Sequence, residues 1–159
     1  MFNENTWKEG ESLAVKWMKK HGYKIVFTNY HAGGYELDIV AILPKNEQQK
    51  VLKTKLKENL KQIESKAQKQ LLKNNYKLTK NDVDDLLVVT EVKARATEKF
   101  GSGLDAISIK KQAHIKRGAE VLLKLEKFKN KNVRFDVASV DAGQVTYVEN
   151  AFWCKRKIM

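Results

Sequence analysis

Cysteine and histidine are scarce in this 159-residue sequence, and their scarcity excludes several kinds of site. Cys154 is the only cysteine, so neither an intramolecular disulfide nor a cysteine-based zinc site can form. The three histidines, His21, His31 and His114, lie too far apart for the spacing of a metal-binding motif. We therefore expect the chemistry of any site to come from carboxylates, lysines and backbone groups.

Proline and long apolar runs are also scarce. Pro44 is the only proline, and no apolar run approaches the roughly 20 residues that a membrane-spanning helix needs. The first residues lack the basic-then-apolar pattern of a secretory signal peptide. We expect a soluble cytoplasmic protein with no membrane partner, folded as a single domain over residues 1–159.

Acidic residues are outnumbered, with 19 of them against 31 lysines and arginines, which gives a formal net charge of +12. A chain of this charge favours polyanionic partners, because each neutralised phosphate releases condensed counterions. Nucleic acid is one partner that this charge indicates. Only four of the basic residues are arginine, however, and a general lysine bias of composition explains the same excess without any partner.

Hydrophobic periodicity predicts an α/β fold in the order αβββαββ, with a helical insertion between the second and third strands. A mixed central sheet flanked by helices suits this order, since the run Leu86–Val89 is apolar on both faces. A loop over 96–103 follows the third strand. The predicted helices span about 5–21, 47–75 and 104–128, and the predicted strands span about 23–30, 35–43, 86–94, 133–140 and 145–148.

The lysine-rich insertion over 44–85 carries a narrow apolar stripe with helical spacing. The stripe consists of Leu52, Leu56, Leu60, Ile63, Ala67 and Leu71. It predicts one long helix over 47–75, about 40 Å in length at 1.5 Å per residue. Three roles stay open for this helix: an arm along a nucleic-acid duplex, a homodimer contact, or a solvated helix on the domain. The lysines that would contact phosphates are Lys53, Lys57, Lys61 and Lys69.

Two carboxylates, Asp38 and Glu91, stand inside apolar strands, where they need a partner or a function. Alternation predicts that Glu36, Asp38 and Val40 share one face of the second strand, opposite Leu37, Ile39 and Ala41. On the third strand, Glu91 and Lys93 share a face. Aspartate disfavours strands, so its presence in this one suggests a specific role.

A divalent cation is one partner that would explain these carboxylates. Mg²⁺ (or Mn²⁺) binds one or two carboxylates and keeps several waters, so Asp38, Glu91 and the Val92 carbonyl are predicted ligands. Such an ion activates water and neutralises charge on a phosphate, while Lys93 would orient or deprotonate the water or stabilise the transition state. Glu11, on the first helix, could add a further carboxylate.

Plainer interpretations remain open. A Glu-Val-Lys triplet is common, and a core ion-pair cluster in an unrelated α/β protein would account for the same charges. Glu36 is ambiguous, since it could be a fourth carboxylate or pair with Lys93 or Arg134.

The ordered set of motifs resembles the PD-(D/E)XK nuclease superfamily, and more closely its small bacterial YraN-like family of proposed endonucleases. The resemblance covers roughly residues 5–43 and 86–152. It rests on Glu11 in the first helix, Asp38 in the hairpin and Glu91-Val92-Lys93 on the next strand. The other matching stretches are Gly22–Ile25, Asn29-Tyr30, Phe100–Ser102, Lys110–Gln112, Arg134–Val137 and Asn150–Phe152.

The resemblance implies a restriction endonuclease-like fold, metal ligation by Asp38 and Glu91, a catalytic Lys93 and a supporting Glu11. It also implies that Gln112, or its neighbour Lys111, lies near the site. Three departures stand out. Leu37 replaces the proline of the superfamily name, Tyr35 replaces a usual glycine, and the insertion stretches the spacing between the two ligands.

The sequence thus leads to two hypotheses. The first is a Mg²⁺-dependent endonuclease that hydrolyses phosphodiester bonds of DNA, with branched or damaged DNA among its candidate substrates. The second is a non-catalytic nucleic-acid-binding protein that retains a nuclease fold. Metal-dependent nicking separates them.

Overall fold

A five-stranded mixed sheet with helices on both faces forms the body of the protein. The computed structural model describes residues 4–81, 84–95 and 107–152. The strands follow the order β1-β2-β3-β4-β5, and only β3 and β4 run parallel. In chain order the elements are α1 (Glu4–Lys20), β1 (Lys24–Ala32), β2 (Tyr35–Leu43), α2 (Lys45–Gln62), α3 (Lys66–Asn81), β3 (Leu86–Arg95), α4 (Ile109–Leu122), a 3-10 turn (Glu126–Phe128), β4 (Val133–Asp141) and β5 (Gln144–Phe152).

Outside the insertion, this order confirms the predicted αβββαββ arrangement and its mixed sheet. The helix predicted over 104–128 is shorter: α4 begins after Ser108, whose hydroxyl accepts the Lys111 N–H at 3.2 Å, and it ends at Leu122. The loop predicted over 96–103 lies outside the described residues. Within the described ranges, no helix is both long enough and apolar enough to cross a membrane.

Two apolar layers hold the helices to the sheet. Ala14 and Met18 of α1 are completely buried against one face. Gly10 in the same helix lies so close to β3 that an added Cβ would come within 2.5 Å of the Ala94 Cβ. On the other face, Ile115, Ala119 and Leu122 of α4 recur at helical spacing and pack into the second layer.

The prediction of one long helix over 47–75 is wrong, because the insertion folds into two helices. Ile63 adopts an extended conformation (φ −102°, ψ 127°) and ends α2. Ser65 then precedes α3, and its hydroxyl accepts the Gln68 N–H at 3.5 Å. The spacing Ser65-x-x-Gln68 is a capping-box pattern that the sequence already contained.

The break lets the two helices pack on each other and enclose a groove that a single straight helix could not form. Leu52 and Leu56 of α2 line this groove together with Leu72 and Tyr76 of α3. Burial of apolar surface against a neighbour is favourable by about 25 cal/mol per Å², so the hairpin outcompetes an isolated rod. We call residues 45–81 the helical hairpin.

Candidate metal and phosphate site

The site is built where β2 and β3 separate. The two strands pair from Leu43↔Leu86 to Ile39↔Thr90, and beyond that pair each continues with a different neighbour. Residues 35–37 of β2 pair only with β1, whereas residues 91–95 of β3 pair only with β4. We call the gap between these two segments the strand fork.

Asp38 lies at the apex of the strand fork and takes the place of a lost strand pairing. Its carboxylate accepts the Val92 N–H at 2.8 Å, a donor that a continuous ladder between β2 and β3 would use. The side chain is only 2% exposed. A carboxylate held by a backbone donor in this way cannot swing out into solvent, so its position at the fork is fixed.

Alternation in the strands breaks at the same point, and the face assignment predicted from sequence is wrong. Leu37 and Val40 pack in the layer beneath α4, whereas Ile39 and Ala41 pack in the layer beneath α1. A left-handed residue lies at the same point in the neighbouring strand. Asn29 has φ 47°, and the pairs on either side of it place it opposite Asp38.

Asn29 also connects this kink to α1. Its side-chain amide donates to Glu11 Oε2 at 2.8 Å. Glu11 is 7% exposed, and its second carboxylate oxygen, Oε1, is buried with no hydrogen-bond partner. A buried carboxylate oxygen without a donor is costly, so this atom indicates a place for a water or a cation.

Glu91 approaches Asp38 from β3. The two side chains are near enough to interact through a hydrogen bond, and Glu91 is only 8% exposed. Lys111 of α4 forms an ion pair with Glu91 Oε1 at 3.1 Å. The fork therefore brings two carboxylates and one ammonium together from three elements that are far apart in sequence.

The electrostatics of this pair are unfavourable without a cation or a proton. Burial and then the negative charge of Glu91 raise the pKa of Asp38 from 3.8 to about 8. The Val92 N–H and the charge of Lys111 act in the opposite direction but do not outweigh burial and the Glu91 charge. Two like charges in a dry site cannot both ionise freely, so the pair favours either a shared proton or a positive ion.

The remaining predicted residues take different positions. Lys93 follows two residues after Glu91 on the same strand and is half-buried. Gln112 faces the start of α4, where its amide donates to the Ile107 carbonyl at 2.8 Å. Sequence reasoning offered Lys111 and Gln112 as neighbours of the site, and Lys111 is the one that contacts an acidic residue there. Val92 contributes its N–H to Asp38.

The acidic residues of the fork form a pair and not a larger cage. Within residues 4–81, 84–95 and 107–152, no three Asp, Glu, His or Cys side chains group closely enough to hold a metal ion. An ion such as Mg²⁺, which binds one or two carboxylates and keeps its waters, is compatible with such a pair. An ion that needs three or four protein side chains is not.

Glu36 and Arg134 stand apart from the fork. Glu36 is exposed on β2, opposite His31 of β1. The Arg134 guanidinium instead forms a two-pronged ion pair with Asp136, at 2.7 and 2.8 Å. Among the described residues Arg134 therefore pairs with Asp136 and Glu149, and the pairing considered between Glu36 and Arg134 is wrong.

Asp136 is the centre of a separate polar network beneath α1. It is completely buried and also accepts hydrogen bonds from the Tyr147 hydroxyl and the Asn150 N–H, both at 2.8 Å. Burial raises the pKa of Tyr147 far above its usual range, which keeps its hydroxyl protonated as a donor. Four donors satisfy this carboxylate, so the network is structural.

Comparison with known proteins gives a family but no activity. A model of the uncharacterised protein family UPF0102 matches residues 10–73 and 62–140. A UPF0102 protein of Sulfurihydrogenibium sp. is 28% identical over 142 residues and covers 89% of each chain. One of Caldicellulosiruptor saccharolyticus is 30% identical over 149 residues, covering 90% of this chain and 92% of its own. One of Dictyoglomus turgidum is 34% identical over 94 residues, covering 52% and 80%.

Proposed function

We propose that this chain, which belongs to the uncharacterised protein family UPF0102, is a metal-dependent endonuclease that hydrolyses DNA phosphodiester bonds. The observation that carries the proposal is the contact between two buried carboxylates, Asp38 and Glu91, at the strand fork. A net charge of +12 supports a polyanionic substrate. The order of elements around the mixed sheet supports a restriction endonuclease-like fold, in line with the sequence resemblance.

The proposed cofactor is Mg²⁺ (or Mn²⁺), held by Asp38 and Glu91 and supplemented by water and by a backbone oxygen at Val92. When bound, the ion lowers the pKa of water and neutralises charge on the phosphate. Asp38 and Glu91 would then both be ionised, since the positive charge would offset the burial and the mutual repulsion that raise the Asp38 pKa. The orphaned Glu11 Oε1 offers one more acceptor for a hydrated ion or a water.

Two lysines, Lys93 and Lys111, assist the hydrolysis in different ways. Hydrolysis joins a water oxygen to phosphorus and breaks one phosphorus–oxygen ester bond, so a proton leaves the water and another reaches the departing oxygen. Lys93, roughly 7 Å along the strand from Glu91, presents its amino group to the negative phosphate. Lys111 holds the Glu91 carboxylate in place through their ion pair.

A cleavage assay with isosteric variants tests the proposal. The purified protein should nick supercoiled and branched DNA with Mg²⁺ or Mn²⁺, and EDTA should abolish nicking. Asp38→Asn and Glu91→Gln should each lower the rate by at least about 100-fold, as removal of a charge-stabilising group at a catalytic centre typically does. Glu36→Gln, an exposed carboxylate of the same strand, is the matched control and should retain the wild-type rate. Equal rates in all four proteins would refute the assignment.

The alternative is a nucleic-acid-binding protein that does not cut, and one observation favours it. The described part of the chain has no group of three ligand side chains, and the Lys111 ion pair with a shared proton could satisfy Asp38 and Glu91 without a metal. Calorimetric titration separates the two functions. Metal binding that is lost in Asp38→Asn supports the nuclease, whereas DNA binding without metal binding or nicking supports the alternative.

A further inference from the structure

The helical hairpin is a separate arm of the protein. Its two helices pack chiefly on each other, and no side chain of α2 is buried. The arm is fastened at its root, where the Gln48 amide donates to the Leu43 carbonyl at 3.0 Å and to the Asp84 carbonyl at 2.6 Å. The Lys45 N–H adds a bond to Asp85 at 2.8 Å. An arm attached in this way presents most of its surface to a partner.

One helix of the arm is uniformly positive. α3 contains no aspartate or glutamate, and its lysines recur every three or four residues. A repeat of three or four residues places side chains on one face of an α-helix. We call Lys66, Lys69, Lys73 and Lys77 the α3 lysine stripe. Three of its four members are exposed, and the stripe runs about 17 Å along the helix at 1.5 Å per residue.

The α3 lysine stripe is electrostatically unfavourable in the protein by itself. Like charges at positions i and i+4 destabilise a helix by roughly 0.2–0.5 kcal/mol per pair. On α2, Lys50 is compensated by an ion pair with Glu47 at 2.7 Å. Within the described residues, the stripe lysines form no such ion pair. A polyanion laid along the face would remove the repulsion, so charge complementarity identifies the partner.

The shape of the stripe favours a duplex over a single strand. Along a duplex axis each strand carries one phosphate charge per 3.4 Å, so a straight row of charges about 17 Å long spans roughly five base-pair steps. Single-strand binding relies in addition on exposed aromatic rings that stack on bases. The only aromatic residue of α3, Tyr76, is half-buried in the groove between the helices.

We propose that the α3 lysine stripe binds the phosphate backbone of a nucleic-acid duplex and holds it beside the strand fork. The proposal rests on the proposed function, because the duplex is then the nuclease substrate. The arm begins after Leu43, five residues along β2 from Asp38, or about 17 Å. The stripe therefore contacts the duplex away from the cleavage point and adds affinity without reading sequence.

A charge-matched pair of variants tests this in EDTA, so that binding is measured apart from cleavage. One variant changes the four stripe lysines to glutamine. The control variant alters the net charge by the same amount. It changes four exposed lysines of α1 and β1 to glutamine: Lys16, Lys19, Lys20 and Lys24. Fluorescence anisotropy then gives the affinity for duplex DNA and duplex RNA of about 30 base pairs, roughly 100 Å long, and for the matching single strands.

The stripe variant should bind duplex at least about 30-fold more weakly than wild type near 0.1 M salt. The slope of log K against log salt concentration should also be shallower by about three to four, because each lost phosphate contact reduces this slope by roughly 0.9. The control should change both quantities much less. Equal losses in the two variants, or a loss confined to single strands, would overturn the proposal. Unchanged duplex affinity together with a changed oligomeric state would assign the arm to a second copy of the chain, again overturning it.

The binding assay also separates this inference from the nuclease proposal. Loss of duplex affinity in the stripe variant, with no metal-dependent nicking by wild type, would retain the arm and reject the nuclease. If the stripe variant instead binds duplex as tightly as wild type and wild type nicks DNA with metal, the arm proposal is rejected and the nuclease proposal is retained. Far-UV circular dichroism verifies that both glutamine variants keep their helices, and glutamine preserves helix propensity close to that of lysine.

Discussion

Replacing Asp38 by asparagine should stabilise the protein at neutral and higher pH while it destroys the proposed site. The carboxyl is almost fully buried, accepts the Val92 N–H and contacts Glu91. An asparagine can keep these contacts, since its carbonyl accepts the backbone N–H and its amide donates to the glutamate. It removes only the charge. The substitution therefore isolates the electrostatic cost of placing two acids at the strand fork.

The sign and size of the effect follow from the raised pKa. Because the Asp38 pKa of about 8 in the folded protein exceeds the ordinary 3.8, the native state holds a proton that the unfolded chain releases. The stabilisation is complete below pH 3.8 and is lost as the pH rises through 8. Inside this window the free energy of unfolding that Asp38 contributes falls by about 1.4 kcal/mol per pH unit, because one proton is released on unfolding. We expect a relative loss of roughly 2–4 kcal/mol for wild type between about pH 5 and pH 8.

Urea unfolding of wild type and Asp38→Asn in EDTA at several pH values measures this difference. The variant should gain stability relative to wild type as the pH rises, and Glu36→Gln should follow wild type. Added Mg²⁺ should stabilise wild type by about 2.7 kcal/mol at 100 times its Kd and leave the variant unchanged. A stability difference that stays constant with pH, or that falls as the pH rises, would refute the assigned electrostatics.

Three further substitutions test the surroundings of the site by urea unfolding. Asn29→Ala should be about 1 kcal/mol less stable than Asn29→Gly, because alanine disfavours the left-handed φ of 47° at this position, and equal stabilities would contradict the strain. Gly10→Ala should cost about 1–3 kcal/mol through its clash with Ala94, and a double-mutant cycle with Ala94→Gly should show coupling, whereas additive energies would argue against the close approach. Asp136→Ala should cost about 3–5 kcal/mol, because it removes the buried partner of the Arg134 guanidinium and leaves only the exposed Glu149 carboxylate at 3.5 Å; a cost under about 1 kcal/mol would count against the network.

Much of the fold follows from local patterns in the sequence. The β2 bounds were predicted to the residue, and β3 differs by one, because apolar runs bounded by glycine, proline or aspartate define strands without tertiary information. The helical hairpin could have been predicted more accurately. Ser65 and Gln68 carry the capping pattern, but the apolar stripe continues through them and favours one helix.

The alternation across β2 could not be predicted from that strand alone. A strand is expected to alternate unless something bends it, and here the left-handed residue opposite the break, Asn29, is on the neighbouring strand. Likewise, Lys111 lies 20 residues from Glu91 in sequence, and only the packing of α4 on the sheet brings the two within 3.1 Å. Asn29 gave a weak indication in the sequence, because asparagine adopts the left-handed conformation more readily than most other residues.

The sequence by itself determined which residue types are available: two acids in apolar strands, lysines in excess, and almost no cysteine or histidine. Burying a charge has a cost wherever it occurs, so the sequence alone indicates that Asp38 and Glu91 need a partner. The tertiary structure decided how those groups meet. The separation of β2 from β3 frees a backbone donor, fixes the Asp38 carboxylate against it, and forces two like charges together. Pairing between strands is non-local, and no sequence window contains both sides of the fork.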